Sequence, residues 1–150
     1  MKAVIQRVKN AKLEVEGKLI SSINEGLVVF FGVAVGDGLE KAESFAKKIV
    51  NMRIFEDENG KFNYSVIDKG FEILAVSQFT LLANCYTGNR PDFLNAERPE
   101  RANEVYEWFL TCLKKYPVEI KKGVFGADMK ISQANDGPVT IILEDKEGSK

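Results

Sequence analysis

Gly26-Leu27-Val28-Val29-Phe30-Phe31-Gly32-Val33-Ala34-Val35 is the stretch on which the fold turns. A half-exposed strand alternates apolar and polar residues, whereas this run is apolar at both parities. That is the pattern of a central strand covered on both faces. Asp37 follows as a candidate N-cap, and Leu39, Ala42, Phe45, Ala46, Ile49 and Val50 then recur at helical spacing. The same order returns downstream. A second buried strand is expected over residues 72–82 and a loop over 87–98. A helix then opens with Pro99 in its first turn, with Ala102, Val105, Tyr106, Phe109 and Leu113 as its buried stripe.

Outward from these two strand–helix units, residues 2–8 read as a strand. Lys12-Leu13-Glu14-Val15-Glu16 alternates strictly, with Leu13 and Val15 on the buried side. Gly17-Lys18 turns that strand back into Leu19-Ile20 as a hairpin. Asp57-Glu58-Asn59-Gly60 is a turn, and strands are expected near residues 118–121, 129–132 and 139–144. The pattern predicts an α/β fold of mixed sheets in the order β2-(βα)2-β3. Both helices lie on one side, giving a three-layer sandwich of helix layer, sheet and sheet. The polar tail from Asp145 to Lys150 is expected to fray.

The 150 residues suffice for a single domain, 1–150, with a sizeable core. At 45% hydrophobic and 29% charged residues, the balance is that of a soluble globular chain. The longest apolar stretch, residues 27–35, falls far short of the roughly 20 needed to cross a bilayer. Arg7 arrives before any hydrophobic segment develops, so no secretory signal is read. Two cysteines without nearby partners, Cys85 and Cys112, fit a reducing compartment, and the cytoplasm is the expected location.

No histidine occurs. Ser-His-Asp and Cys-His catalysis, histidine proton shuttles and the usual zinc sites are therefore excluded. No metal and no organic cofactor is expected. A hydrolase of this composition must position its reactants and stabilise charge, or borrow a group from its substrate. The net charge of -1 does not advertise nucleic-acid binding, so any RNA contact must rest on a local basic patch.

Two motifs carry chemistry. Ser77-Gln78-Phe79-Thr80 ends an apolar strand with polar side chains, a composition suited to a pocket floor where hydroxyls and strand-end amides hold a carbonyl. Strand alternation would point Ser77 and Phe79 one way and Gln78 and Thr80 the other. Taken alone, the hydroxyls read first as satisfying local backbone groups where the strand gives way to a loop, and a Ser or Thr without a base is a poor nucleophile. Asn135-Asp136-Gly137-Pro138-Val139-Thr140 is a turn leading into a terminal strand. Its glycine allows close backbone approach and its proline stiffens the loop. On spacing alone this is an ordinary turn.

Together the two motifs resemble those of the D-aminoacyl-tRNA deacylase family, and the similarity extends over nearly the whole chain. Val4-Ile5-Gln6-Arg7-Val8, Arg53-Ile54-Phe55, Gly60-Lys61 with Asn63, Arg90-Pro91 with Phe93, and Phe125-Gly126-Ala127-Asp128-Met129 follow the family pattern in order. The resemblance implies a homodimer with an active site at each end of its interface. Ser77, Gln78, Phe79 and Thr80 would line the pocket of one subunit, and Gly137-Pro138, joined by a cis bond, would enter from the other. The 3′ end of an aminoacyl-tRNA would sit between them, its terminal adenosine near Phe125 and Met129, with Asn135 on the substrate side. Arg7 would brace the Gly-Pro loop.

The implied reaction is hydrolysis of the ester between a D-amino acid and tRNA, a proofreading activity. L-aminoacyl esters would be excluded because rigid Gly137-Pro138 backbone fills the space of an L side chain. Glycine, with nothing to clash, would not be rejected, so glycine mischarged on tRNA(Ala) becomes a second substrate. Strand-end amides around Phe79 and Thr80 would hold the carbonyl oxygen, with the neighbouring ribose hydroxyl orienting water; Thr80 as covalent nucleophile is the competing version. Lys114-Lys115, Lys121-Lys122 and Lys130 form a candidate phosphate-facing patch, read equally well as solvated lysines. Asn84-Cys85-Tyr86-Thr87-Gly88-Asn89 departs from the basic residues common in the family's loop, and Asp92 stands where serine is common. A non-catalytic module binding an RNA end and a small-molecule esterase are the rival functions.

Overall fold

The computed structural model of the protein describes residues 1–145. The fraying expected of the tail concerns, past Asp145, residues outside those described. Strands β1 (Lys2–Val15), β2 (Lys18–Ile23) and β3 (Gly26–Gly32) lead into helix α1 (Leu39–Asn51). Next come β4 (Phe55–Glu56), β5 (Phe62–Tyr64), the short α2 (Val66–Lys69) and β6 (Glu72–Ser77), and a 3-10 helix covers Phe79–Leu82. Helix α3 (Pro99–Leu113), β7 (Glu119–Lys122) and β8 (Met129–Glu144) complete the chain.

Six strands form one mixed sheet. Its order is β2-β1-β3-β6-β7, with β8 paired to β1, while β4 and β5 make a separate two-stranded sheet. Strands β3, β6 and β7 are mutually parallel, as expected where a helix-bearing crossover separates them. Strand β1 is antiparallel to β2, β3 and β8. The mixed α/β class read from the sequence is the one observed.

The doubly apolar β3 is buried on both sides. Leu27, Val29 and Phe31, with Ile73 and Ala75 of β6, pack against Phe45, Ala46 and Ile49 of α1 and Val105, Tyr106 and Phe109 of α3. Phe31 stacks on Phe109 with ring centroids 4.0 Å apart. Val28, Leu74 and Val76 face the other way, onto Val8, Ala11 and Leu13 of β1 and Ile23 of β2. Each fully buried Leu or Phe contributes about 1.5–3 kcal/mol, against roughly 0–1 kcal/mol for an exposed ion pair. These two apolar contacts therefore set the architecture.

Four expectations are corrected. The strands predicted at 2–8 and 12–16 are one strand, β1, and those at 129–132 and 139–144 are one strand, β8. The interruptions in the two patterns lie opposite each other, and irregular register absorbs them without ending the ladder. Gln6 pairs with Thr140 and Val8 with Asn135, so the single residue Arg7 opposes the four residues 136, 137, 138 and 139. A wide bulge thus carries Gly137-Pro138 out of an otherwise continuous strand.

The strand predicted over 72–82 stops at Ser77. Its parallel neighbour has run out: Phe31 is the last residue paired, and Gln78 N–H donates the closing bond to Phe31 O at 2.8 Å. The chain then tightens into the 3-10 helix. A Cβ on Gly32 would lie 2.8 Å from Gln78 O and 2.6 Å from Leu82 Cδ2, so glycine lets the end of β3 abut that turn. Sequence pattern also missed β4, β5 and α2. Strands of two and three residues carry no periodicity, although Ser65 and Asp68 of α2 form a reciprocal capping box.

Asp37 is not the N-cap. Gly38 holds that position without a side-chain cap. The buried Asp37 carboxylate accepts instead from the Met1 amine at 2.7 Å, Ala34 N–H at 2.8 Å and Lys41 Nζ at 3.1 Å. Burial pushes its carboxyl up, but the hydrogen bonds from these three donors outweigh burial and hold it below 3.8. A carboxyl lowered by folding contributes stability that is complete above its unfolded value and lost as pH falls through the folded one. Asp37→Asn is expected to lower the unfolding free energy at pH 7 by about 2 kcal/mol or more. In urea titrations the gap from wild type should close below pH 4.

Candidate active site

The parallel strands β3, β6 and β7 end at the same edge of the sheet, where open α/β folds commonly bind ligands. A cavity of about 490 Å³ lies there. Phe31 and Val33 line it from the end of β3, Ser77, Gln78 and Phe79 from the end of β6, and Phe125, Gly126, Ala127 and Met129 from the chain after β7. Its far wall is Phe93 and Ala96 through Pro99, with Ala102 and Tyr106 of α3.

Tyr106 ties these walls together. Its hydroxyl donates to Ala75 O at 2.8 Å, and Gly123 N–H donates to the same carbonyl at 3.3 Å. Helix α3, the end of β6 and the 123–127 turn therefore converge on one oxygen. Burial drives the Tyr106 phenol well above its ordinary value, so it is a permanent donor at neutral pH. The ring sits 6.0 Å from that of Phe125 and sets the cavity floor. At the mouth, Phe79 and Phe93 meet edge-to-face at 5.1 Å.

Gln78 and Thr80 are in contact, the Gln78 amide donating to Thr80 Oγ1. An amide is too weak a base to deprotonate a hydroxyl. Just below, the main-chain N–H groups of Phe79 and Thr80 meet no acceptor among the described residues, as expected in the first turn of a helix. Two donors are thus unpaired within the chain, on Phe79, which lines the cavity, and on the residue that follows it. Glu97 accepts from Arg98 N–H at 2.8 Å and from Gly36 N–H at 3.1 Å, and these bonds hold its carboxyl below the usual range.

Of the residues named from sequence, Ser77, Gln78, Phe79, Phe125 and Met129 share this cavity, and Thr80 adjoins it through Gln78. Because β6 ends early, Ser77, Gln78 and Phe79 all line one space; the alternation expected of a strand does not apply. Asn135, Gly137, Pro138 and Arg7 are not among its lining residues. Asn135 Oδ1 accepts from Gln133 Nε2 at 2.7 Å, in a ladder that continues through Gln6 to Thr140. The Gly137–Pro138 peptide is cis, and both residues are exposed. Behind them Arg7 Nε donates to Asp136 O at 3.2 Å. Sequence reading placed Tyr106 in the core and passed over Glu97. A buried phenol always seeks an acceptor, which was a usable signal; the role of Glu97 follows only from the approach of Gly36.

The lysines proposed as a phosphate patch are largely compensated. Lys115 lies 3.8 Å from Glu43, Lys121 3.0 Å from Glu119, Lys122 3.9 Å from Glu107 and Lys130 3.3 Å from Asp128. Asp92, in place of serine, has a structural use: it accepts from the Asn84 amide at 3.1 Å and closes the neck of the 84–92 loop. Cys85 is exposed and Cys112 buried. Among the described residues no group of three or more His, Cys, Asp or Glu is placed to hold a metal ion, and no helix is long and apolar enough to cross a membrane.

Comparison with known proteins decides the lineage. The family model described as D-Tyr-tRNA(Tyr) deacylase matches residues 4–144. This chain belongs to that family. The D-aminoacyl-tRNA deacylase of Aquifex aeolicus (strain VF5) is 54% identical over 147 residues, covering 98% of this chain and 99% of the relative. That of Thermosipho africanus (strain TCF52B) is 49% identical over the same shares. The solved structure of a protein named c-Myc DNA Unwinding Element Binding Protein superposes with TM-score 0.90 at 49% identity, over 97% of this chain and 99% of that one. A second solved structure, of a probable eukaryotic D-amino acid tRNA deacylase, has TM-score 0.81 at 15% identity over 95% and 97% of the chains; it shares the fold.

Within this deacylase family member, Gly137 has φ +123, and an added Cβ would lie 2.9 Å from Val139 Cγ2, 3.0 Å from Val139 N and 3.2 Å from Arg7 Nη2. Gly137→Ala is expected to cost about 1–3 kcal/mol through backbone strain and to push the turn off Arg7. Urea unfolding reads the first effect, and faster amide exchange over residues 135–139 reads the second.

Proposed function

We propose that this chain hydrolyses the ester bond of D-aminoacyl-tRNA, releasing free tRNA and the D-amino acid as a proofreading step of translation in the cytoplasm. The observation that carries the chemistry is the pair of free N–H groups on Phe79 and Thr80 at the rim of the cavity. Donors fixed before the reaction stabilise the oxyanion of ester hydrolysis without reorganising, an effect typically worth ~3–4 kcal/mol per donor. The terminal adenosine occupies the aromatic cavity against Phe125 and Met129, and Ser77 and Gln78 flank the ester.

With no histidine in the chain and only an amide beside Thr80, water rather than Thr80 is the nucleophile, oriented by the neighbouring ribose hydroxyl. The protein acts as a homodimer in which the Gly137-Pro138 turn of one subunit enters the pocket of the other. Two features support this. The turn is exposed, bulged outward and absent from its own chain's cavity. Beside it, Ile142, Val4 and Phe30 are directly opposed across three strands, a row on one face with Ile142 67% exposed. Asn135 reaches the substrate side only in that arrangement.

Selection is by exclusion. Main chain at 137–138 occupies the volume an L side chain requires, while a D side chain points away and glycine has none. Glycine mischarged on tRNA(Ala) is accordingly a second substrate. A binding-only reading draws on the 49%-identical solved structure, which is named as a DNA-unwinding-element binder. Turnover separates the two.

On matched charged tRNAs, D-amino acid should be released at least a hundredfold faster than L, with glycine close to D and a simple aryl ester untouched. Release of neither enantiomer would reject the deacylase reading. Replacing the terminal 2′-hydroxyl by hydrogen should abolish release while binding survives, and undiminished release would assign the chemistry to Thr80 instead.

A further inference from the structure

Besides Asp37, Arg7 is the only buried charged side chain among the described residues, 5% exposed. Its guanidinium has two sides. Inward, Nε meets Asp136 O at 3.2 Å and Asp136 Oδ2 at 3.3 Å, and Nη1 donates to Ile54 O at 2.8 Å. Outward, Nη2 lies 3.5 Å from Glu56 Oε1, and the Phe62 ring lies over the guanidinium with its centroid 5.7 Å from Cζ. Glu56 and Phe62 are themselves paired across the β4–β5 ladder. One rung of a small hairpin, outside the main sheet and outside the cavity, thus closes the solvent side of Arg7. The remaining charge on the cluster is Lys9, which holds Asp136 Oδ2 at 3.7 Å and Glu25 at 3.6 Å.

We propose that Glu56 and Phe62 are positioning residues for stereochemical selection: they fix the outer edge of the Arg7 guanidinium, which in turn sets how far the Gly137-Pro138 turn projects. The inference rests on the cross-subunit reading given above. Nη2 is the wall behind the turn, 3.2 Å from where a Cβ on Gly137 would stand. Without its rung, that nitrogen loses its carboxylate and its ring, and a long side chain regains rotamers. The consequence is unequal for the two enantiomers. An L side chain is rejected by overlap, and repulsion fades within a few tenths of an ångström. A D side chain makes no contact with the turn and gains nothing from its retreat.

The test measures release of D- and L-tyrosine from matched charged tRNAs by wild type, Glu56→Gln, Phe62→Ala and the double variant. The L-to-D rate ratio should rise roughly tenfold in the double variant, the combined loss of one half-exposed ion pair and one cation–π contact. The rise should come from a gain in L turnover, which a merely destabilised fold does not produce. Phe62→Tyr, which keeps the ring face, should restore selection. Glu58→Gln on the same hairpin, whose carboxylate bonds Tyr64 and not Arg7, should leave the ratio at the wild-type value. An active wild type with an unchanged ratio in the double variant overturns this inference alone. A wild type that releases neither enantiomer overturns the deacylase reading and this inference with it.

Discussion

Past the bond from Gln78 N–H to Phe31 O, β3 and β6 no longer pair with each other, and helices cover one face of the pair while β1 and β2 cover the other. Backbone leaving such a ladder must find partners for its polar groups outside it. It does so by tightening into a 3-10 turn after β6 and by running out along β3 toward the 93–99 segment, where Glu97 N–H bonds Val33 O at 3.0 Å. The cavity is the space these two exits enclose. Its existence is a consequence of burying the parallel pair from both sides.

The second constraint is the length of β1. One strand of 14 residues pairs along nearly all of the 16-residue β8, so a local mismatch cannot end the ladder and must be extruded. Four residues leave β8 opposite Arg7, and a guanidinium with five N–H donors serves the carbonyl and carboxylate thus exposed. A flexible loop in this place would be a poor steric filter. Held by a buried arginine, the turn has the fixed position that selection by exclusion requires, on the reading proposed above.

A pocket with no histidine, whose one lining carboxylate, Glu97, is engaged by Arg98 N–H and Gly36 N–H, suits a reaction whose barrier falls to positioning and charge stabilisation. An aminoacyl ester, the substrate proposed above, meets that condition: it is activated, and its ribose carries a hydroxyl on the carbon next to the one that bears the ester. On the reading proposed above, the amides of Phe79 and Thr80 and the aromatic floor set by Tyr106 supply the two things the substrate lacks, an oxyanion site and a fixed orientation.

Much of this was legible in the residues. Burial of β3 at both parities, the stripes of α1 and α3, the absence of histidine and the family motifs all follow from side-chain type and local period, which need no knowledge of distant partners. What the sequence could not supply were the places where a partner decides. β6 stops because β3 stops, β1 and β8 run on because each carries the other across its gap, and Asp37 turns from the cap to the Met1 amine because folding brings that amine within 2.7 Å. Arg7, Glu56, Phe62 and Asp136 are scattered along the chain and meet only once the long ladder and the small hairpin are both in place. Local sequence sets what each residue offers; which offers are taken up depends on long-range pairing, whose energy is absent from any single segment.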